Sequence, residues 1–178
     1  MKTILPALFA FFLLLGSGDA NSIDGTILAD GRKPDRPFPK AFAEATKALG
    51  NDAPKFSCYK ADAITPAAKG GWQFFFGSAE RKCVVIYIRR DGTHAQEPTA
   101  SDEFAFPPAP RLSIQEALAA ADAVVQKRLK EFFFTGASWY ADDGTWRVSF
   151  RNPAASWTCV TVDPSRAAKL GSVNRRNR

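Results

Sequence analysis

One ordered pattern constrains this chain more than any other: a helix-like segment followed by three strand-like segments, met twice. In the first set, Phe38, Ala41, Phe42, Ala45, Ala48 and Leu49 recur at helical spacing behind Pro37-Phe38-Pro39, and Gly50 stops the run. Strand patterns follow over 55–63, 72–77 and 83–90, the last closed by Asp91-Gly92. In the second set, Ser113 stands ahead of Glu116 as a capping box, each satisfying the other's backbone N–H. Ile114, Leu118, Ala121, Val125 and Leu129 then form an apolar stripe, and strand patterns occupy 132–140, 146–151 and 157–163. Trp72 and Trp146 open the middle strands, and Cys83 and Cys159 sit near the start of the last ones, 11 and 13 residues further on. The fold class this predicts is α+β, two α-βββ repeats, each a helix packed on a three-stranded antiparallel sheet.

The flanks set the compartment. Lys2, an apolar run from Ile4 to Leu15 and the small-residue exit Gly16-Ser17-Gly18-Asp19-Ala20 read as a secretory signal peptide over 1–20. The run is shorter than the roughly 20 residues needed to span a bilayer. The expected product is periplasmic or secreted after cleavage near Ala20. Residues 21–36 read as a leader, 37–93 as the first unit, 94–111 as a linker with Pro98, Pro107, Pro108 and Pro110, 112–171 as the second unit, and 172–178 as a basic tail. Of the net +6 charge, Arg175, Arg176 and Arg178 in that tail supply half. Export together with a weakly basic folded part argues against a nucleic-acid partner.

Strand alternation assigns faces. Arginines cannot be buried unpaired without a large desolvation cost. Trp146, Val148 and Phe150 must therefore cover the helix, with Val160 and Val162, while Arg147, Ser149 and Arg151 stay outside with Trp157, Cys159 and Thr161. In the first unit Trp72, Phe74, Phe76, Val84, Ile86 and Ile88 face the helix, leaving Gln73, Phe75, Cys83, Val85, Tyr87 and Arg89 outside. Aromatic and Arg enrichment is what binding hot spots show. The candidate partner-binding residues are thus Phe75, Tyr87, Arg89, Arg147, Arg151 and Trp157; internal cover of the same groups is the alternative.

Ser113-Ile114-Gln115-Glu116-Ala117 with Ala120-Ala121 resembles the helix motif of the PepSY family. Trp146-x-Val148-x-Phe150 and Val160-Thr161-Val162-Asp163-Pro164 with Leu170 resemble that family's closing hairpin. Ser165-Arg166-Ala167-Ala168-Lys169 departs from it, lacking the Thr-Gly of the family's last turn. The likeness covers about 111–171, with a degenerate copy over 37–93, and the tandem is similar in architecture to β-lactamase-inhibitor protein repeats. It implies a non-catalytic, extracytoplasmic role and carries over no catalytic residue.

The inventory for chemistry is thin. His94 is the single histidine, so multi-His metal cages are excluded, and a Cys–His nucleophile pair lacks a third orienting group. Asp142-Asp143 reads as a hairpin turn and Asp102-Glu103 as linker rather than as a glycosidase pair. There is no phosphate loop, zinc spacing or calcium loop, so no cofactor or metal is expected. In an oxidising compartment three cysteines allow one disulfide. Cys58–Cys83 closes the shorter loop but in a simple meander spans about 9.6 Å, beyond the roughly 7 Å Cα limit. Cys83–Cys159 and three free thiols are the other arrangements. The functional expectation is an exported binding protein without enzymatic activity, an inhibitor or immunity-type protein of an envelope or secreted enzyme such as a peptidase. The alternative is a periplasmic carrier of a small anionic or apolar ligand.

Overall fold

A computed structural model describes residues 37–64, 71–80, 82–89, 91–92, 94–99, 109–129, 131–154, 156–165 and 168–170. The expected signal peptide, leader and basic tail, and Asp102-Glu103, lie outside these residues. Helix α1 runs Phe38–Ala48 behind Pro37, and Gly50, at φ +62°, turns the chain into a 3-10 helix, Gly50–Lys55. Helix α2 runs Ile114–Arg128. Its capping box forms as the sequence dictates: Ser113 N–H donates to Glu116 Oε2 at 2.7 Å and Glu116 N–H donates to Ser113 Oγ at 3.3 Å. No described helix is long and apolar enough to cross a membrane.

The strands are β1 Phe56–Ile64, β2 Gly71–Ser78, β3 Cys83–Arg89, β4 His94–Thr99, β5 Phe133–Tyr140, β6 Thr145–Arg151, β7 Trp157–Val162 and the two-residue β8 Lys169–Leu170. Among the described residues all of them belong to one antiparallel sheet in the order β4-β3-β2-β1-β5-β6-β7-β8. The two separate α-βββ repeats expected from the sequence do not form. β1 pairs with β5 through Lys60–Ser138, Ala61–Ala137 and Asp62–Gly136, which fuses the halves edge to edge. The physical reason is that two separate sheets would each leave a first strand with unpaired backbone groups, and joining them removes both edges. The expected linker is corrected too: His94–Thr99 folds back from the Asp91-Gly92 turn as an edge strand on β3.

Both helices lie on the same face, α1 over β2, β3 and β4, and α2 over β6, β7, β8 and β1. Phe38 joins the halves at the centre of the core. Its ring lies edge-on to Trp72 (centroids 5.2 Å apart) and to Phe134 (5.1 Å). Trp72, Phe74, Ile86, Ile88, Trp146, Val148, Phe150 and Val160 are buried on this helix-facing side. Trp146, wholly buried, donates its indole N–H to the Leu112 carbonyl at 3.0 Å, which ties β6 to the approach to α2.

Candidate functional site

The opposite face of the sheet carries no helix among the described residues, and the register dictates what it displays. One row of cross-strand neighbours runs Glu97, Val85, Phe75, Lys60, Ser138, Arg147, Thr161, Lys169, from β4 to β8. At about 4.8 Å per strand it is roughly 34 Å long. Lys60 Nζ stands 5.1 Å from the centre of the Phe75 ring and pairs with Asp62 at 2.9 Å. Arg147 lies over Tyr140, 3.8 Å from the ring centre, and its guanidinium donates to Asp143 Oδ2 at 3.2 Å. The Thr145 hydroxyl, then Arg147, hold the Asp143 carboxyl below the usual range, so Asp143 is a turn anchor and not a proton donor.

The six residues expected to bind a partner all lie on this face but form two groups. Arg147, Arg151 and Trp157 stand on β6 and β7, where Phe133, Arg151 and Trp157 are successive cross-strand neighbours. Phe75, Tyr87 and Arg89 stand on β2 and β3, where Tyr87 receives a hydrogen bond from Gln73 at 2.9 Å. Four strand spacings, about 19 Å, separate β3 from β6. Val85 lies on this face between Phe75 and Glu97 yet is buried.

Sequence reasoning missed Tyr140, Phe133 and Lys60. Plain alternation puts Phe133 and Tyr140 on opposite faces of β5, and the register shift at Thr135 brings both to the open face. Lys60 was hidden in the same way, because the register shifts between Cys58 and Lys60. This bulge at Tyr59 puts Cys58 on the helix side and Lys60 on the open side, where plain alternation gives both the same face.

That bulge also corrects the expected disulfide. Cys58 is buried beneath the helices, opposite Phe76, whereas Cys83 lies on the open face two strands away, and all three cysteines are free thiols. Burial pushes the Cys58 thiol up to about 12, and burial also raises that of Cys159. Neither is poised as a thiolate nucleophile. His94 sits at one end of β4, opposite Ile88, while Cys83 pairs with Thr99 at the other end. Five residues of strand, about 17 Å, keep that pair from acting together. Among the described residues no group of three His, Cys, Asp or Glu side chains could hold a metal ion.

No protein-family model, no curated protein and no solved structure matches this chain.

Proposed function

We propose that this protein acts by binding, as an inhibitor or immunity-type protein of an exported enzyme, and that it docks through the open face of the sheet. One observation carries the reading. The large hydrophobic side chains left exposed among the described residues are Trp157 (49%) and Tyr140 (42%), and both stand on this face beside an arginine. Aromatic side chains and arginines are what hot spots are made of. A guanidinium held over or beside a ring suits a carboxylate-bearing partner surface, because its fork can bind both oxygens of a carboxylate at once. The PepSY-like motifs around Ser113–Ala121 and Trp146–Phe150 support the same kind of role.

The test is affinity capture from envelope extracts with the wild-type chain and with the triple variant Arg147→Ala, Arg151→Ala, Trp157→Ala. The wild type should retain a protein whose hydrolase activity falls on binding. The variant should lose it while keeping its melting behaviour, since exposed ion pairs such as Arg147–Asp143 contribute under about 1 kcal/mol. Equal retention of the same partner by the variant would remove this face from the interface.

A further inference from the structure

A concave feature lies on the other side of the sheet from the open face, over the ends of β1 and β2. It is a cleft of about 280 Å³ bounded by α1 (Phe42, Thr46), the 3-10 helix (Ala53), β1 (Phe56, Cys58) and the entry to α2 (Leu112). Its size falls just below the roughly 300–1,000 Å³ that ligand pockets occupy. Phe42, Phe56, Ala53 and Leu112 all pack against the core yet stay only partly buried. Apolar side chains are thus left partly in water around one concavity, an arrangement that an apolar occupant would relieve.

We propose that this cleft is a binding site for a neutral small molecule with an aromatic body. Charge decides the class. None of the described residues lining the cleft is charged, in a chain where charged residues make up 24%. A charged ligand would be desolvated there with no counter-charge. The one feature that could attract an anion is the N-terminus of α2, and it is already occupied. Glu116 accepts from the Ser113 backbone at 2.7 Å and from its hydroxyl at 2.8 Å, placing a carboxylate where an anion would have to sit. The Cys58 thiol on the floor donates to the Lys60 carbonyl at 3.3 Å and keeps its proton. Three phenyl groups, Phe42, Phe56 and Phe76, favour a flat ring system, and the volume accepts one or two fused rings rather than a long acyl chain. Thr46 at the rim already donates its hydroxyl to the Phe42 carbonyl at 2.9 Å. The exposed side chain of Gln115 makes no hydrogen bond to another described residue and can meet one polar substituent.

The experiment uses a matched pair of fluorescent probes on the full chain: neutral phenylnaphthylamine and its charged relative anilinonaphthalene sulfonate, which share a skeleton. The neutral probe should bind saturably at one site, at least about tenfold tighter than the sulfonate. Thr46→Trp and, separately, Ala53→Leu, which fill the cleft from different walls, should each weaken the neutral probe by about tenfold or more. Far-ultraviolet circular dichroism identifies the variants that fold, and either one alone decides the matter. Absence of saturable binding, unchanged binding in a folded filled variant, or tighter binding of the sulfonate would each overturn the proposal. None of these results touches the open sheet face, whose own variants lie on β6 and β7.

Discussion

Gly136 offers the sharpest test of the fused sheet. It sits opposite Asp62 at the β1–β5 join. A Cβ built there would stand 2.7 Å from Asp62 Oδ1 and 3.0 Å from the Ala61 carbonyl oxygen. The carbonyl belongs to the sheet backbone and cannot move aside cheaply. The carboxylate can turn, but its other oxygen holds Lys60 at 2.9 Å. Two effects of Gly136→Ala therefore oppose each other. Alanine has less chain entropy to lose, which favours the variant by about 0.4–1 kcal/mol. Overpacking at the join costs about 1–3 kcal/mol. The exposed Lys60–Asp62 pair adds under about 1 kcal/mol whichever way it moves. The net expectation is a loss of roughly 1–2 kcal/mol. Urea unfolding followed by tryptophan fluorescence should show it as a lower midpoint at unchanged slope. In an Asp62→Ala background the nearest atom is gone and only the carbonyl contact remains, so the same substitution should cost less, by about 0.5–1 kcal/mol. If Gly136→Ala is as stable as the wild type, or its cost is indifferent to Asp62, the join is not built as described. A free β5 edge would leave that Cβ in water and make alanine stabilising.

Ser113→Ala removes a helix cap and should cost about 1 kcal/mol at neutral pH. The Ser113 hydroxyl, then its backbone N–H, hold the Glu116 carboxyl below its ordinary range, so this contribution is complete above the unfolded pKa of about 4.3 and is lost as pH falls through the lower folded value. Unfolding at neutral pH and in acid should show the gap to the wild type narrowing; a constant gap contradicts the capping box. Trp146→Phe empties part of a wholly buried site and strands the Leu112 carbonyl, and should cost about 2–4 kcal/mol by thermal or urea unfolding. Cys58 should resist iodoacetamide at mildly alkaline pH in the folded chain and react on unfolding, because burial holds its thiol near 12. Native-state labelling of Cys58 as fast as in the unfolded chain would mean that the helix side of β1 is open.

The local chemistry of this fold was legible from the residues. Ser113 and Glu116 announced the start of α2, Gly50 the end of α1, and Trp146-Arg147-Val148-Ser149-Phe150-Arg151 both a strand and its two faces. These are short-range matters of capping, φ and period two. The surface residues followed for the same reason: an arginine beside an aromatic on an outer position shows its face in the alternation alone. Beyond that the reading failed where one residue changes the count. The bulges at Tyr59 and Thr135 add a position to β1 and β5; no Gly or Pro marks the first, and Gly136 follows the second. Past each of them every face is inverted, so Cys58 lies on the helix side while Lys60 and Cys83 lie on the open one. Edge strand β4 was hidden because His94-Ala95-Gln96-Glu97-Pro98-Thr99 has no apolar face, as suits an edge that must not recruit another chain.

The mistaken pair of separate sheets has a cause that alternation cannot contain. Period two says which way a strand's side chains point and nothing about which strand lies beside it. The relevant signal is size. Where β1 and β5 meet, the helix-facing positions of β1 are Ala61 and Ala63, and β5 contributes Gly136, Ala137 and Ser138. A natural free edge is guarded by charge, proline or brevity; β1, of nine residues, and β5, of eight, are neither short nor broken by proline, and β5 carries no charge, so an unpaired β5 would be poorly guarded. Together they close on each other, Ala61 against Ala137, both buried. Because β1 offers only Ala61 and Ala63 to the helix side there, Trp72 of β2 and Phe134 of β5 reach across it and stack with centroids 5.5 Å apart, beneath Phe38. The small strip and the three rings are one device: bulk at Ala63, the cross-strand neighbour of Trp72, would separate the rings, and shorter rings would leave the strip uncovered. The same device makes the open face continuous, since joining β1 to β5 aligns Lys60 with Ser138 and Arg147 in a single row.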